Sequence, residues 1–266
     1  MAADIVLMLA RMNLATGLAI IVLLTARAII RRWCGPDVAY SLWVLAPVAA
    51  LAMVVDMPFE DRLLAWAAPH LIAHALALLI VWAAGAAIGL CLLAASQRRI
   101  LRLAARGELG PAITGLFNPR LYLPRDFADN FDAAERSVIR SHERAHRLRY
   151  DVLANYGLAL GQCLFWFSPL VHIGAVYLRR DQEMACDFTV MDERPDQRAL
   201  YARTMLKTQL CGPAPSLGCG WTRHPLEERV KALGQTAPAG SRILGILGLG
   251  VSAFQLMVLF AMFVVR

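Results

Sequence analysis

The chain has 266 residues, 58% of them hydrophobic and 18% charged, with a mean hydropathy of +0.51. Soluble domains carry about 25% charged residues, so the composition points to a membrane protein and leaves too little polar chain for a large multidomain enzyme. The net charge of +7 therefore fits the basic margins of a membrane protein better than a nucleic-acid-binding surface.

Four nearly uncharged stretches approach the about 20 residues that a bilayer requires: residues 12–30, 38–55, 70–95 and 243–265. The first tolerates Arg27 near one end, where a long side chain can snorkel to the interface. A cleaved signal peptide is not expected, because Asp4 and Arg11 interrupt the amino-terminal apolar run. Arg27, Arg31 and Arg32 follow the first stretch, and Arg98, Arg99, Arg102 and Arg106 follow the third. The loop between the second and third carries Asp56, Glu60 and Asp61 against Arg62. Basic margins face the cytosol. The expected layout is three transmembrane helices within residues 1–95, a cytosolic domain over 96–241, and a fourth transmembrane helix over 243–265, with both termini outside. The six cysteines, Cys34, Cys91, Cys163, Cys186, Cys211 and Cys219, form no CxxC pair and read as reduced thiols.

The cytosolic stretch opens with an extended segment, 116–123, closed by Pro124. Asp132 and Glu135 have the spacing of a capping box ahead of a helix that starts at residue 133. Residues 152–178 contain 27 uncharged positions, enough to cross a bilayer once. A polar helix is expected over 178–192 and another over 197–209. A Gly/Pro-rich loop, 211–220, leads to the sequence HPLEERVKAL.

The helix that starts at residue 133 contains His142-Glu143-Arg144-Ala145-His146, an HExxH pattern. Residues four apart on a helix share a face at about 6 Å, so both imidazoles can reach one metal while Glu143 lies beside it to activate water. The bland alternative is two solvated histidines on a basic helix. A catalytic zinc needs three protein ligands and an open position, and the segment RRDQEMACD offers Glu183 and Asp187, again four apart. This spacing suits one ligating carboxylate and one hydrogen-bonded to a ligating imidazole; the competing reading is two surface acids neutralised by Arg179 and Arg180. Asp151 and His172 are further candidates, although Asp151 more readily pairs with nearby arginines and His172 sits in an apolar run. If His146 and Glu183 bind one ion, residues 152–178 cannot cross the membrane once. They must fold back, bending near Ser168-Pro169.

The segments GLFNPRLYLP, HERAH, FWFSPLV and QEMACD together resemble the BlaR/MecR family of integral-membrane zinc peptidases, transducers of beta-lactam sensing, and more distantly the HtpX and CAAX-prenyl-protease group. The resemblance covers essentially the whole chain. It implies a mainly α membrane protein with four transmembrane helices and a cytosolic zincin-like domain containing a small β element. It also implies zinc on His142, His146 and Glu183, with Glu143 as base and Asp187 hydrogen-bonded to a ligand. Two departures stand out. Antibiotic-sensing members continue into an extracellular penicillin-binding domain where this sequence stops at Arg266, so direct acylation is not expected, and the family's FNP is FSP here, at Ser168. The resemblance further suggests that 116–123 is an exposed edge strand that receives substrate. The HPLEER element is similar to one in HtpX-like enzymes, where His224 or Arg229 could stabilise the oxyanion; helix capping and surface pairing compete.

The function expected is a bacterial inner-membrane zinc endopeptidase acting on a cytosolic transcriptional repressor or a membrane-protein segment, with self-cleavage allowed. The rivals are a non-catalytic regulatory scaffold with a structural metal, a general quality-control protease, and a small transporter suggested by His70 and His74. An intact Glu143 counts against the scaffold. The partners this reading allows are a protein substrate, the lipid bilayer and a second copy of the chain; no motif supports nucleic-acid binding.

Overall fold

A computed structural model of the chain describes residues 1–54, 67–208, 219–220 and 226–233. The expected fourth span, 243–265, and His224 lie outside these residues. Helix α1, Ala2–Cys34, is stopped by Gly35, whose φ of 97° only glycine adopts readily, and Pro36 at the next position starts a new helix. That helix, α2 (Pro36–Ser41), runs through a 3-10 turn, Leu42–Val44, into α3, Leu45–Ala52. Pro47 explains the interruption: it has no N–H for the Trp43 carbonyl, and its ring crowds that oxygen. The second expected span is thus a broken apolar segment of 17 residues, Pro36–Ala52, short of the about 20 that a bilayer requires.

After α4, Ala68–Ala73, the helix α5 runs over Ala75–Arg106. The chain breaks helical geometry at His74 between them, and His70 and His74 are both exposed. Helix α5 ends in a Schellman turn: Gly107 is left-handed, its N–H donates to the Ala104 carbonyl, and the Glu108 N–H donates to that of Leu103. Among the described residues, α1 and α5 are the helices long and apolar enough to cross a membrane. Leu76, Ile80, Ile88 and Leu92 of α5 are each more than 60% exposed, a surface suited to lipid rather than water.

The remainder is helical around a small sheet. Strand β1, Ala112–Thr114, is central and pairs antiparallel with β2, Arg120–Tyr122, and with β3, Cys219–Gly220. The expected extended segment 116–123 therefore supplies β2 at its end, an edge strand, while the buried strand β1 lies upstream of it. A short helix α6, Phe127–Asn130, precedes α7, Ala133–Leu148. The capping box at the start of α7 is present as expected, with the Glu135 N–H donating to Asp132 and the Asp132 N–H donating to Glu135. Helix α7 is amphipathic, burying Val138, Ile139, His142, Glu143, Ala145 and His146 while Arg140, Arg144 and Arg147 face outward.

Helix α8, Asp151–Leu164, and the long α9, Pro169–Glu193, meet at a turn over 165–168, so α9 runs back toward α7. Pro169 sits in the first turn of α9, where its missing N–H costs nothing. The polar helix read over 178–192 is the second half of α9. Helices α10, Arg198–Thr208, and α11, Leu226–Leu233, complete the domain. One core joins Phe127, Phe131, Val138, Ile139, Val190, Tyr201, Met205 and Leu233; a second joins Ile20 and Leu23 of α1 with Trp43, Ala46, Phe165 and Val171. Helix α9 contributes to both cores and so ties the membrane helices to the polar domain.

The α8–α9 turn is fastened to α5. The Trp82 indole N–H donates to the Leu164 carbonyl at 2.8 Å, and that of Trp166 donates to the Trp82 carbonyl at 3.2 Å. Gly85 lets the Trp166 ring lie on the backbone of α5, where any Cβ would strike it. Gly85→Leu should therefore overpack this contact and cost about 1–3 kcal/mol. The measurement is the melting temperature of the detergent-solubilised protein, and an unchanged value would show that the contact does not hold α5 to the turn.

Candidate metal centre

The centre is built where α7 faces the second half of α9. His142 and His146 stand one helical turn apart, and both are fully buried. Their Nε2 atoms are 3.0 Å apart. Glu183, delivered by α9, lies 3.5 Å from His142 Nε2 through Oε2 and 3.6 Å from His146 Nε2 through Oε1. Glu143 is 2% exposed, and its Oε2 has no hydrogen-bond partner among the described residues. The backbone N–H of Ile113 in β1 acts to lower the proton affinity of the same carboxylate, so the strand beside the base is β1.

The far side of each imidazole fixes which nitrogen carries the proton. His146 Nδ1 lies 2.7 Å from Asp151 Oδ2, and a carboxylate accepts, so Nδ1 holds the hydrogen. His142 Nδ1 lies 2.8 Å from the Tyr201 hydroxyl, which donates to Asp187 Oδ1 at 2.7 Å and therefore accepts from the ring. Both Nε2 atoms then present lone pairs to each other and to Glu183. Two ring nitrogens and the two oxygens of Glu183 thus meet in a buried space, a donor set that a cation would suit.

The electrostatics follow from the burial. Desolvation pulls His142 down to about 4, favouring the neutral ring that a metal requires. Desolvation pushes Glu143 up to about 8. Burial acts to raise Glu183 as well, but the Arg229 guanidinium counters it and the carboxyl is held below its ordinary value.

The sequence-predicted residues divide as follows. His142, Glu143, His146 and Glu183 converge. Asp187 lies within 3.5 Å of His142 Nδ1 but makes its short hydrogen bond to Tyr201, which stands between them. Arg229, 1% exposed, donates from Nε and Nη2 to Asp187 at 2.7 Å each, and its Nη1 lies 3.0 Å from Glu183 Oε2. Its guanidinium thus clamps the two carboxylates together. His172 is remote from the centre, within hydrogen-bonding distance of Gln162 and the Trp166 carbonyl. Asp151 has an arginine nearby, Arg149 at 3.6 Å, as expected, yet its shorter contact is to His146. The sequence reading missed Tyr201, a lone tyrosine on an otherwise ordinary polar helix with no pattern to mark it.

Cys186 is a further donor. Its thiol groups with His142 and His146 within 4.8 Å, a set that could hold a metal ion. The sulfur, however, lies 3.4 Å from His142 Nδ1, the side already bonded to Tyr201, and burial pushes the thiol up to about 12. The groups with facing lone pairs are the two Nε2 atoms and the Glu183 carboxylate.

Residues 109–233 match the family described as BlaR1 peptidase M56. Over 98 residues the chain is 36% identical to the regulatory protein BlaR1 of Bacillus licheniformis; the aligned part is 36% of this chain and 16% of that protein, so the chain spans less than a fifth of that relative's length.

Removing the guanidinium of Arg229 leaves two buried carboxylates without their cation. Arg229→Ala should destabilise the metal-free protein by about 3–5 kcal/mol, read from the midpoint of chemical denaturation. A loss no larger than the about 1 kcal/mol of a surface pair would mean that the clamp does not hold Glu183 and Asp187.

Proposed function

We propose, from the match of residues 109–233 to the family described as BlaR1 peptidase M56, that the chain is a membrane-embedded zinc endopeptidase in which His142, His146 and Glu183 hold the metal and Glu143 is the general base. The observation that carries this reading is the mutual approach of the two Nε2 atoms and the Glu183 oxygens at 3.0, 3.5 and 3.6 Å. Tetrahedral zinc with bonds of about 2.0–2.1 Å sets its ligand atoms about 3.4 Å apart, so this donor set fits the ion. Zinc, when bound, supplies the Lewis acid that polarises a scissile carbonyl and acidifies water.

The protein's own residues do the rest. Glu143, its proton affinity raised by burial, takes a proton from the attacking water and returns it to the leaving amine. Asp151 and the Tyr201–Asp187 pair keep the imidazoles in the tautomer that offers Nε2. An intact base beside the donors favours turnover over a purely structural metal.

We assign the chain to the bacterial inner membrane with residues 96–241 in the cytosol. The substrate would be a cytosolic transcriptional repressor, a membrane-protein segment, or the chain itself. The relative's name as a regulatory protein and the arginine asymmetry of the loops support this assignment.

Two experiments test the reading. Glu143→Ala should keep its zinc and lose cleavage of a peptide library read by mass spectrometry, whereas Glu183→Gln should lose the metal itself; wild-type cleavage by the Glu143 variant would refute the assigned base. For orientation, Ala134, exposed on α7, can be replaced by cysteine in a background without native cysteines. An impermeant maleimide should not label it in intact cells, and labelling there would invert the topology.

A further inference from the structure

The centre is supported from an unexpected direction. Asp151, fully buried, bonds His146 through Oδ2 and uses its other oxygen, Oδ1, to accept from the Tyr40 hydroxyl at 2.8 Å. Tyr40 belongs to α2, the short helix that follows the membrane helix α1, and lies 111 residues from Asp151 in the chain. Its hydroxyl also accepts from Gln182 Nε2 at 2.9 Å, and the Gln182 carbonyl oxygen accepts from Asn155 at 3.2 Å. The Arg149 guanidinium covers the Tyr40 ring at 4.8 Å and bonds Asp37 of the same helix at 3.0 Å.

We infer that Tyr40 is a positioning residue for the metal centre, acting through Asp151 on His146, so that the membrane-anchored α1–α2 hairpin supplies part of the metal site. The inference rests on the metallopeptidase reading above. A carboxylate hydrogen-bonded to a ligating imidazole fixes the ring's tautomer and orientation and raises its basicity. Such a carboxylate can do so only if its own rotation is fixed. Gln182 reaches only the backbone carbonyl of Asp151, at 3.5 Å, and Arg149 approaches the carboxylate at 3.6 Å, so beside the bond to His146 the Tyr40 hydroxyl is the short contact that sets the plane. A tyrosine suits the task because one hydroxyl donates to Asp151 while accepting from Gln182, next to Glu183 on α9.

The test uses the full chain in detergent. Affinity for Co²⁺ is measured by chelator competition for wild type, Tyr40→Phe, Asp151→Asn and the double variant, together with melting temperatures of the metal-free and cobalt-loaded forms. Tyr40→Phe keeps the ring under Arg149 and removes only the oxygen. It should bind cobalt about tenfold more weakly, at the low end of the range for outer partners of metal ligands, while its metal-free form melts with wild type. Adding Tyr40→Phe to Asp151→Asn should cost less than about twofold more, because residues that act through one another are not additive. Unchanged affinity in Tyr40→Phe would overturn the inference, as would full additivity in the double variant. An equal fall in melting temperature with and without metal would reduce Tyr40 to a packing role. The Tyr40→Phe measurement decides even where Asp151→Asn gives no folded protein. A wild-type chain that binds no cobalt would instead sink the metallopeptidase reading, and this inference with it.

Discussion

Two imidazole nitrogens without protons face each other across 3.0 Å in a buried space, with a carboxylate beside them. Left alone, that arrangement would relax: a ring would flip, a proton would bridge, or the glutamate would turn away. The surroundings block the first and the last of these routes. Asp151 and Tyr201 take the protons on the far sides of the rings, so neither imidazole can flip without losing a buried hydrogen bond. Arg229 lies against Glu183 and prevents its withdrawal. The fold thus holds these groups together, and a cation between them would satisfy their lone pairs.

Holding the pieces in register falls to α9. Along one helix, successive residues step about 100°, so Asp181 and Glu183 point to opposite sides while Glu183 and Asp187 share one. The structure uses both sides. Asp181, fully buried, accepts two hydrogen bonds from Arg27 of α1, at 3.0 and 2.6 Å, and one from the Trp43 indole at 2.8 Å; Glu183 and Asp187 face the centre. A buried ion pair adds little net stability once desolvation is counted, but breaking it is costly, so its value here is in fixing one register of α9 against α1. Arg27, which composition alone would send to the interface, is drawn inward because α9 presents a carboxylate at its level.

What could be read from the sequence was what is local. The capping box at Asp132 and Glu135, the pair of histidines one turn apart and the break ahead of Pro169 each depend on residues within a few positions of one another. The unread features join distant parts of the chain: Tyr40 to Asp151 across 111 residues, Arg27 to Asp181 across 154 and His142 to Tyr201 across 59. No periodicity or spacing records such pairs. The second apolar stretch shows another limit, since hydropathy counts residues and not helical turns, and it did not reveal the break in the run that contains Pro47. Strand β1 went unseen because three buried residues next to a proline carry no alternation.

The two polar sides of α9 and the Tyr40 bond give the membrane hairpin and the metal centre a common boundary. A group that improves metal binding by ordering Asp151 must itself be ordered by metal binding to the same extent, because coupling between two equilibria is reciprocal. A tenfold effect corresponds to about 1.4 kcal/mol. A loaded centre would then hold α2 in its seat more firmly by that amount, and a force that shifts α1 or α2 in the bilayer would weaken the ion's hold on His146. This coupling needs no rearrangement of the polar domain's own core, since the cluster of Phe131, Ile139, Val190 and Met205 includes no residue of the hairpin. It requires only that the carboxylate of Asp151 lose the hydroxyl that fixes its plane.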